Sequence, residues 1–174
     1  QAFKQYLDYI LYKLLFEEKG IILRYRKDIT IKPSFDIDIL IDKSKFNTFF
    51  SKLLEYSKTK KNFIVNFQKK NNGAKISLIY LEGFSKNLRN WILLDLSFKI
   101  KIKDKDIFLH EIQTIPNKEH KRHIVTNDWL YFLNAVHKYK KNEKIKVNEK
   151  KLNLFFKNNP KVKETFKYKY ENAL

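Results

Sequence analysis

Two aspartates interrupt one of the most apolar stretches of the chain, at Asp36 and Asp38 in the run SFDIDILID. Side chains of a β-strand point alternately to opposite faces, so residues two apart share one face at a spacing of roughly 7 Å. The two acids therefore share one face of a predicted strand over 35–42, and Ile37, Ile39 and Ile41 line the other. The pattern predicts a strand with a carboxylate pair on one side and isoleucines on the other.

A third aspartate, Asp95, lies within another apolar run, WILLDLSF. Moving an unpaired carboxylate out of water costs free energy, and like charges that lie close together repel each other. Three acids that converge in this way need a cation, and a divalent metal ion is the natural one. Because carboxylates are hard oxygen ligands, Asp36, Asp38 and Asp95 together predict a site for Mg²⁺ or Mn²⁺ rather than for zinc.

An alternative interpretation is that these acids are sheet-edge residues that pair with the many lysines of the chain. Pairing with lysine does not explain why the acids lie inside apolar strands, where charged residues are rare. The metal-site interpretation accounts for that position, and the lysine-pairing interpretation stays open beside it.

The length and composition of the chain are typical of one packed globular domain. It has 174 residues, of which 43% are hydrophobic and 16% aromatic, enough to bury a sizeable core. The lack of cysteine excludes disulfides and thiolate metal sites and is compatible with a reducing cytoplasm, where we expect the protein to act. Because the chain also lacks methionine, we expect it to be a portion of a longer product.

The formal net charge of +18 raises the question of a nucleic-acid partner. Neutralisation of phosphates drives such binding, but the basic residues are almost all lysines, and dedicated readers of phosphates and bases favour arginine for its bidentate fork. The charge therefore leaves two interpretations open, a solvated surface and a surface that attracts polyanions such as RNA.

Hydrophobic periodicity and turn signals predict the order of the elements. Apolar residues at helical spacing indicate a first helix over 2–18 that stops at Gly20, and Asn71, Asn72 and Gly73 indicate a hairpin. The predicted strands are 21–26, 35–42, 62–68, 75–82, 91–102 and 107–112. The other predicted helices are 42–56, 127–139, 148–158 and 161–171, and Asp42, Lys43 and Ser44 offer the helix-start chemistry for the first of these.

These elements predict an α+β fold. We expect a mixed, largely antiparallel sheet with helices on one face over residues 1–116, and a helical C-terminal extension over 117–174 that packs on this core. Lys4, Asp8 and Lys13 interrupt the first helix, and no run approaches the roughly 20 apolar residues that a membrane span needs. The sequence therefore predicts no membrane segment.

A strand with the DxD pair, a helix, a hairpin and a strand with a third aspartate follow each other in an order that resembles the DNA polymerase β-like nucleotidyltransferase superfamily. Within it, the chain is similar to the uncharacterised bacterial nucleotidyltransferase family. The resemblance covers roughly residues 20–140, and its matching stretches are DIDILID (36–42), LDLSFKI (94–100) and WLYFLNAVHKYKK (129–141).

The resemblance implies an enzyme that moves a nucleoside monophosphate from a nucleoside triphosphate, such as ATP, to a hydroxyl or phosphate acceptor. Asp36 and Asp38 would be the paired metal ligands. Asp95 would be the third carboxylate, acting as the general base or its neighbour, with Mg²⁺ or Mn²⁺ as cofactor. RNA, or another polyanion, is one expected acceptor.

The chain departs from the superfamily at the nucleotide phosphates. The usual Gly-Ser pair is absent, and Ser34 stands just before the acidic strand instead. Arg24, Arg26 and Lys27 precede that strand and can reach a triphosphate, so we expect these three residues and Ser34 to bind the nucleotide. The alternative function is a catalytically degenerate domain that works as a basic RNA-binding or assembly module.

Overall fold

The computed structural model describes residues 2–23, 29–31, 36–81, 90–102, 105–119, 122–140 and 148–163. Five of the described strands form one sheet in the order β1-β2-β5-β4-β3. β2 and β5 are parallel, and the other three neighbouring pairs are antiparallel. The predicted α+β class with a mixed, mostly antiparallel sheet is confirmed. The strands are β1 (Ile21–Ile22), β2 (Asp36–Leu40), β3 (Phe63–Lys70), β4 (Gly73–Tyr80) and β5 (Trp91–Ser97).

Two helical segments pack on one face of this sheet. The first is α-helical over Ala2–Asp8 (α1), π-helical over Tyr9–Leu14 and α-helical again over Leu15–Glu17 (α2), and the second is α3 (Lys43–Lys58). Together with the sheet they bury one continuous apolar cluster. The strand side chains in this cluster include Ile37, Ile39, Ile76, Leu78, Ile92, Leu94 and Leu96, each at most 2% exposed.

The end of the first helical segment differs from the prediction. The sequence predicts a stop at Gly20, and the left-handed conformation that ends the helix is taken one residue earlier, by Lys19, with φ of 56°. The backbone N–H of Gly20 then donates to the carbonyl of Leu15 at 2.9 Å and closes the last turn. The signal for a stop was correct to within one residue, because a glycine at the next position leaves room for this tight closure.

The start of α3 follows the predicted capping chemistry. Asp42 has extended backbone angles, and its Oδ1 accepts hydrogen bonds from the backbone N–H of Ser44 at 2.8 Å and from the Ser44 hydroxyl at 2.6 Å. Such a cap satisfies a backbone donor that the first turn leaves without a partner. The cap fixes where the chain turns after the acidic strand.

The predicted strand over 91–102 ends early. β5 stops at Ser97, opposite Gly73, which is the first residue of its partner β4. Beyond this point the chain forms a separate two-stranded sheet of β6 (Ile100–Ile102) and β7 (Lys105–Ile107). The apolar pattern continues past Ser97, but the neighbouring strand β4 does not extend beyond Gly73. A β-strand also requires a hydrogen-bonded neighbour, so the apolar pattern alone did not give its end.

The strand predicted over 107–112 is wrong. Leu109–Glu111 forms a 3₁₀ turn, and the backbone N–H of Phe108 donates to Glu111 Oε2 at 2.8 Å. Two strands that the sequence did not predict follow, β8 (Thr114–Asn117) and β9 (Arg122–Val125), which pair with each other. β8 contains Pro116, which is a reason to read such a stretch as a loop.

The chain divides into two compact units, residues 1–99 with 116–124 and residues 100–115 with 125–174. The sequence predicts a boundary at residue 116, whereas the chain passes between these units after residues 99, 115 and 124. The second unit contains α4 (Asn127–Lys140) and α5 (Glu149–Asn158), as predicted. Their aromatic side chains interlock, with Phe155 stacked on Phe132 at 4.3 Å and edge-on to Trp129 at 4.9 Å.

The helix predicted over 161–171 is described only at its start. Residues 160–163 are helical, and the rest of that prediction lies outside the described residues. None of the helices in the described ranges combines the length and apolarity that crossing a bilayer requires.

The close approach of Gly73 to β5 gives a test of the sheet. A Cβ at residue 73 would lie 1.9 Å from the backbone oxygen of Leu96, whereas a Cβ at Gly20 would chiefly meet the end of the Leu15 side chain at 2.3 Å. Gly73→Ala should therefore lower the free energy of unfolding by about 3 kcal/mol, because a backbone oxygen in a central strand cannot move aside. Gly20→Ala is the control and should cost less. Equal losses in urea denaturation would contradict the register of β4 on β5.

The buried hydroxyl of Tyr6 predicts a loss of stability at alkaline pH. Burial raises the pKa of Tyr6 above its ordinary value of 10.0, although the hydrogen bond with Ser57 lowers it. The unfolded chain therefore ionises first, and stability should fall as the pH rises above about 10. Tyr6→Phe should cost about 1 kcal/mol at pH 7 and make the alkaline decline shallower. A decline of the same slope in both proteins would contradict this assignment.

Candidate active site

The acidic residues lie on the face of the sheet opposite the helices. Parallel pairing of β2 with β5 sets Asp38 directly opposite Asp95, and Asp36 opposite Leu93. Paired residues on neighbouring strands share a face and have Cα atoms roughly 5 Å apart. Ile37 and Ile39 point to the other face and are buried there. All three acids therefore share one face, which we call the acidic face.

The acids belong to three rows of side chains that run across four strands of the sheet, from β3 to β2. Each row joins residues that are paired in the sheet, and the central row consists of a glutamine, a lysine and two aspartates. The rows are Lys70, Gly73, Ser97 and Leu40; Gln68, Lys75, Asp95 and Asp38; and Asn66, Ser77, Leu93 and Asp36.

Asp95 forms an ion pair with a lysine on β3, which lies two strands away in the sheet. Lys70 Nζ, on β3, donates to Asp95 Oδ1 and lies 3.5 Å from Ser97 Oγ. The two side chains of this ion pair are 28% and 25% exposed. Lys70 has to cross β4 to reach β5, and the residue between Lys70 and Ser97 is Gly73, which has no side chain to stand in the way. The lysine-pairing alternative therefore applies to Asp95.

The chemistry of the acidic face suits a divalent cation, but the side chains are not gathered around one. Asp38 and Asp95 offer hard oxygen ligands from adjacent strands, which Mg²⁺ and Mn²⁺ prefer. However, no group of three or more His, Cys, Asp or Glu side chains within the described ranges is arranged to hold a metal ion. Asp36 lies one row further along β2, and Asp95 is already paired with Lys70. The sheet thus brings the carboxylates of Asp38 and Asp95 onto adjacent strands, while Asp95 is paired with the ammonium group of Lys70.

The predicted nucleotide-binding residues Arg24, Arg26, Lys27 and Ser34 lie outside the described residues. Their assignment stays a prediction.

Sequence reasoning missed Lys70 and Lys75, the basic residues of the acidic face. The hairpin signal at Asn71 and Asn72 was enough to set Lys70 opposite Gly73. Placing Lys70 beside Asp95 also requires that β4 lie between β3 and β5, and periodicity does not specify strand order.

The second unit has an open groove of its own, of about 610 Å³, between α4 and α5. Two of its charged side chains have partners within the same unit. Asp128 Oδ1 accepts from the Thr126 hydroxyl at 2.6 Å, and Lys151 Nζ lies 5.7 Å from the centre of the Tyr131 ring. The groove is lined by Asn127, Asp128, Leu130, Tyr131, Asn134, Lys151 and Leu154. It contains none of the acids that the sequence singled out.

No family model, no curated protein and no solved structure matches this chain. The resemblance to nucleotidyltransferases therefore stays a prediction that depends on the motifs quoted above, and the acidic face has to be interpreted from its own geometry.

The strength of the Lys70–Asp95 ion pair can be measured by a double-mutant cycle with Lys70→Met and Asp95→Asn. Because both side chains are partly exposed, we expect a coupling free energy of about 1 kcal/mol, decreasing as salt is added. The helical pair of Lys4 and Asp8, whose side chains are 46% and 32% exposed, is the control and should couple more weakly. A coupling free energy near zero, measured by urea denaturation at low salt, would show that the two side chains do not form a stabilising ion pair.

Proposed function

We propose that this protein is a metal-dependent nucleotidyltransferase that moves a nucleoside monophosphate from a nucleoside triphosphate to a hydroxyl or phosphate acceptor. The observation that supports this proposal is the register of β2 on β5, which sets Asp38 beside Asp95 with Asp36 on the same face. Rigid neighbouring strands hold functional groups more reproducibly than loops do. Two adjacent carboxylates also form an electrostatically costly arrangement that a bound cation would relieve.

In this proposal, Asp36, Asp38 and Asp95 hold Mg²⁺ or Mn²⁺, which when bound supplies positive charge for the phosphates of the nucleotide. Asp95 accepts the proton of the acceptor hydroxyl, because a carboxylate within reach of that hydroxyl can act as a general base. Arg24, Arg26, Lys27 and Ser34 contact the triphosphate.

The acceptor is proposed from charge alone. A net charge of +18 increases the local concentration of polyanions and speeds their encounter with the protein, which favours RNA or another polyanionic acceptor over a cationic one. We place the reaction in the cytoplasm, where nucleoside triphosphates and Mg²⁺ are available and where a chain without cysteine needs no oxidising compartment.

The second candidate is a catalytically degenerate domain that binds RNA or assembles with it. The Lys70–Asp95 ion pair favours this candidate, because a carboxylate neutralised by lysine is a weaker metal ligand. The missing Gly-Ser pair of the superfamily points the same way. Both candidates use the basic surface, and they differ in whether the acids bind a metal ion and a nucleotide.

Asp38→Asn separates the two candidates because it removes one charge and keeps the shape of the side chain. Pyrophosphate release should be measured with each of the four nucleoside triphosphates, with Mg²⁺ or Mn²⁺ and with total RNA as acceptor. We expect Asp38→Asn to reduce transfer by about 100-fold or more, while its melting temperature stays unchanged or rises, because repulsion from Asp95 is relieved.

Asp106→Asn, on β7 in the second unit, is the matched control and should keep full activity. Unchanged turnover in Asp38→Asn would end the catalytic assignment. Salt-sensitive RNA binding that Asp38→Asn leaves unaltered, with no heat on addition of nucleotide and metal to the unaltered protein, would support the degenerate module instead.

A further inference from the structure

We infer that Lys70 is a built-in cation of the acidic face, which competes with a divalent metal ion for Asp95 and leaves Asp95 when the metal binds. This inference deepens the proposed function and rests on it. It assigns a regulatory role to a residue on β3, an edge strand of the sheet as the structure describes it, at a distance of two strands from the carboxylate that it contacts.

The path of the Lys70 side chain supports this role. Its ammonium group donates to Asp95 Oδ1 and lies 3.5 Å from Ser97 Oγ, so it is held at the end of β5 nearest the hairpin. Gly73 separates Lys70 from Ser97 in the sheet, and its lack of a side chain leaves a passage across β4. A side chain that reaches over a whole strand to a carboxylate is placed by the register of the sheet.

Electrostatics gives the competition its direction. Aspartates directly opposite each other on paired strands repel, so Asp38 and Asp95 require positive charge nearby. Lys70, which contacts Asp95, and Lys75, which is paired with Asp95 in the sheet, each carry one unit of it, and a divalent ion at the same carboxylates would supply two. An ammonium group and a divalent ion that share Asp95 also repel each other. By linkage, metal binding weakens the lysine contact by the same factor as the lysine contact weakens metal binding.

The nucleotide favours the release of Lys70 from Asp95, because its phosphates can bind the released ammonium group. Once a metal ion holds Asp95, the freed ammonium group remains anchored on β3 beside the acids, where the phosphates that accompany the metal can accept its hydrogen bonds. Metal bound together with a triphosphate should therefore displace Lys70 more readily than metal alone. The protein would then bind Mn²⁺ weakly and the Mn²⁺–ATP complex well, so that the acids become occupied only when the substrate is present.

Mn²⁺ binding to the whole chain tests this inference without any measurement of activity. Titration calorimetry should show about tenfold tighter binding of Mn²⁺ alone to Lys70→Met than to the unaltered protein. The advantage that ATP gives to Mn²⁺ binding should shrink in that variant. Lys69→Met is the matched control, because Lys69 is the neighbouring residue on β3, is exposed and faces the other side of the strand. It should leave both values unchanged.

A second measurement needs no variant and remains valid even if Lys70→Met does not fold. The unaltered protein is treated with a limiting amount of an amine-reactive acetylating reagent, and acetylation of each lysine is followed by mass spectrometry. Lys70 should be labelled slowly. Adding Mn²⁺ should speed labelling of Lys70 by severalfold, since the ammonium group leaves Asp95, while labelling of Lys69 stays constant as an internal reference.

The outcomes distinguish this inference from the proposed function. Equal Mn²⁺ affinity in Lys70→Met and the unaltered protein, with labelling of Lys70 indifferent to Mn²⁺, overturns the role of Lys70 and leaves the transferase intact if Asp38→Asn still abolishes transfer. Tighter Mn²⁺ binding in Lys70→Met without transfer in any protein supports Lys70 and overturns the transferase. Absence of Mn²⁺ binding from both proteins, with or without ATP, overturns both.

Discussion

The parallel register of β2 on β5 is the constraint on which the interpretation of this protein depends. It buries Ile37 and Ile39 against the helices and at the same time sets Asp38 opposite Asp95. A shift of one residue would separate the acids, but it would also turn every isoleucine of β2 out of the core. Burying one such side chain contributes about 1.5–3 kcal/mol, whereas opposed like charges on paired strands cost up to about 1 kcal/mol. The core therefore prevails, and the acids are held together at an electrostatic cost.

A shift of two residues would keep every side chain on its face, and in one direction it would set Asp36 instead of Asp38 opposite Asp95, so burial alone does not fix the register. One glycine constrains the neighbouring pair of strands. Gly73 brings β4 so close to β5 that a Cβ at residue 73 would lie 1.9 Å from the backbone oxygen of Leu96, and this contact helps to set the register of β4 on β5. Gly73 also opens the route by which Lys70 reaches Asp95, so one residue without a side chain affects both the register of β4 on β5 and the position of the lysine.

The sequence was most informative where one strand or helix decides the outcome. Alternation alone assigned Asp36 and Asp38 to one face, and the cap at Asp42 was visible in the residues that follow the acidic strand. What could not be predicted depends on which elements become neighbours. β5 ends at Ser97 because β4 begins at its partner Gly73, although the apolar run continues. The contact of Lys70 with Asp95 depends on strand order in the same way, and 33 lysines of similar local appearance gave no reason to choose that one.

Partial exposure of the Lys70–Asp95 pair decides whether the lysine closes the site permanently or can be exchanged. Breaking a fully buried ion pair costs about 3–5 kcal/mol, because the charge left behind has no access to water. An exposed pair contributes at most about 1 kcal/mol. With 28% and 25% of the two side chains exposed, water can solvate each partner after separation, and the cost lies nearer the lower figure. A divalent ion attracted by two carboxylates can offset a cost of that size. The partial exposure of both partners therefore favours an exchangeable lysine over a permanently neutralised acid.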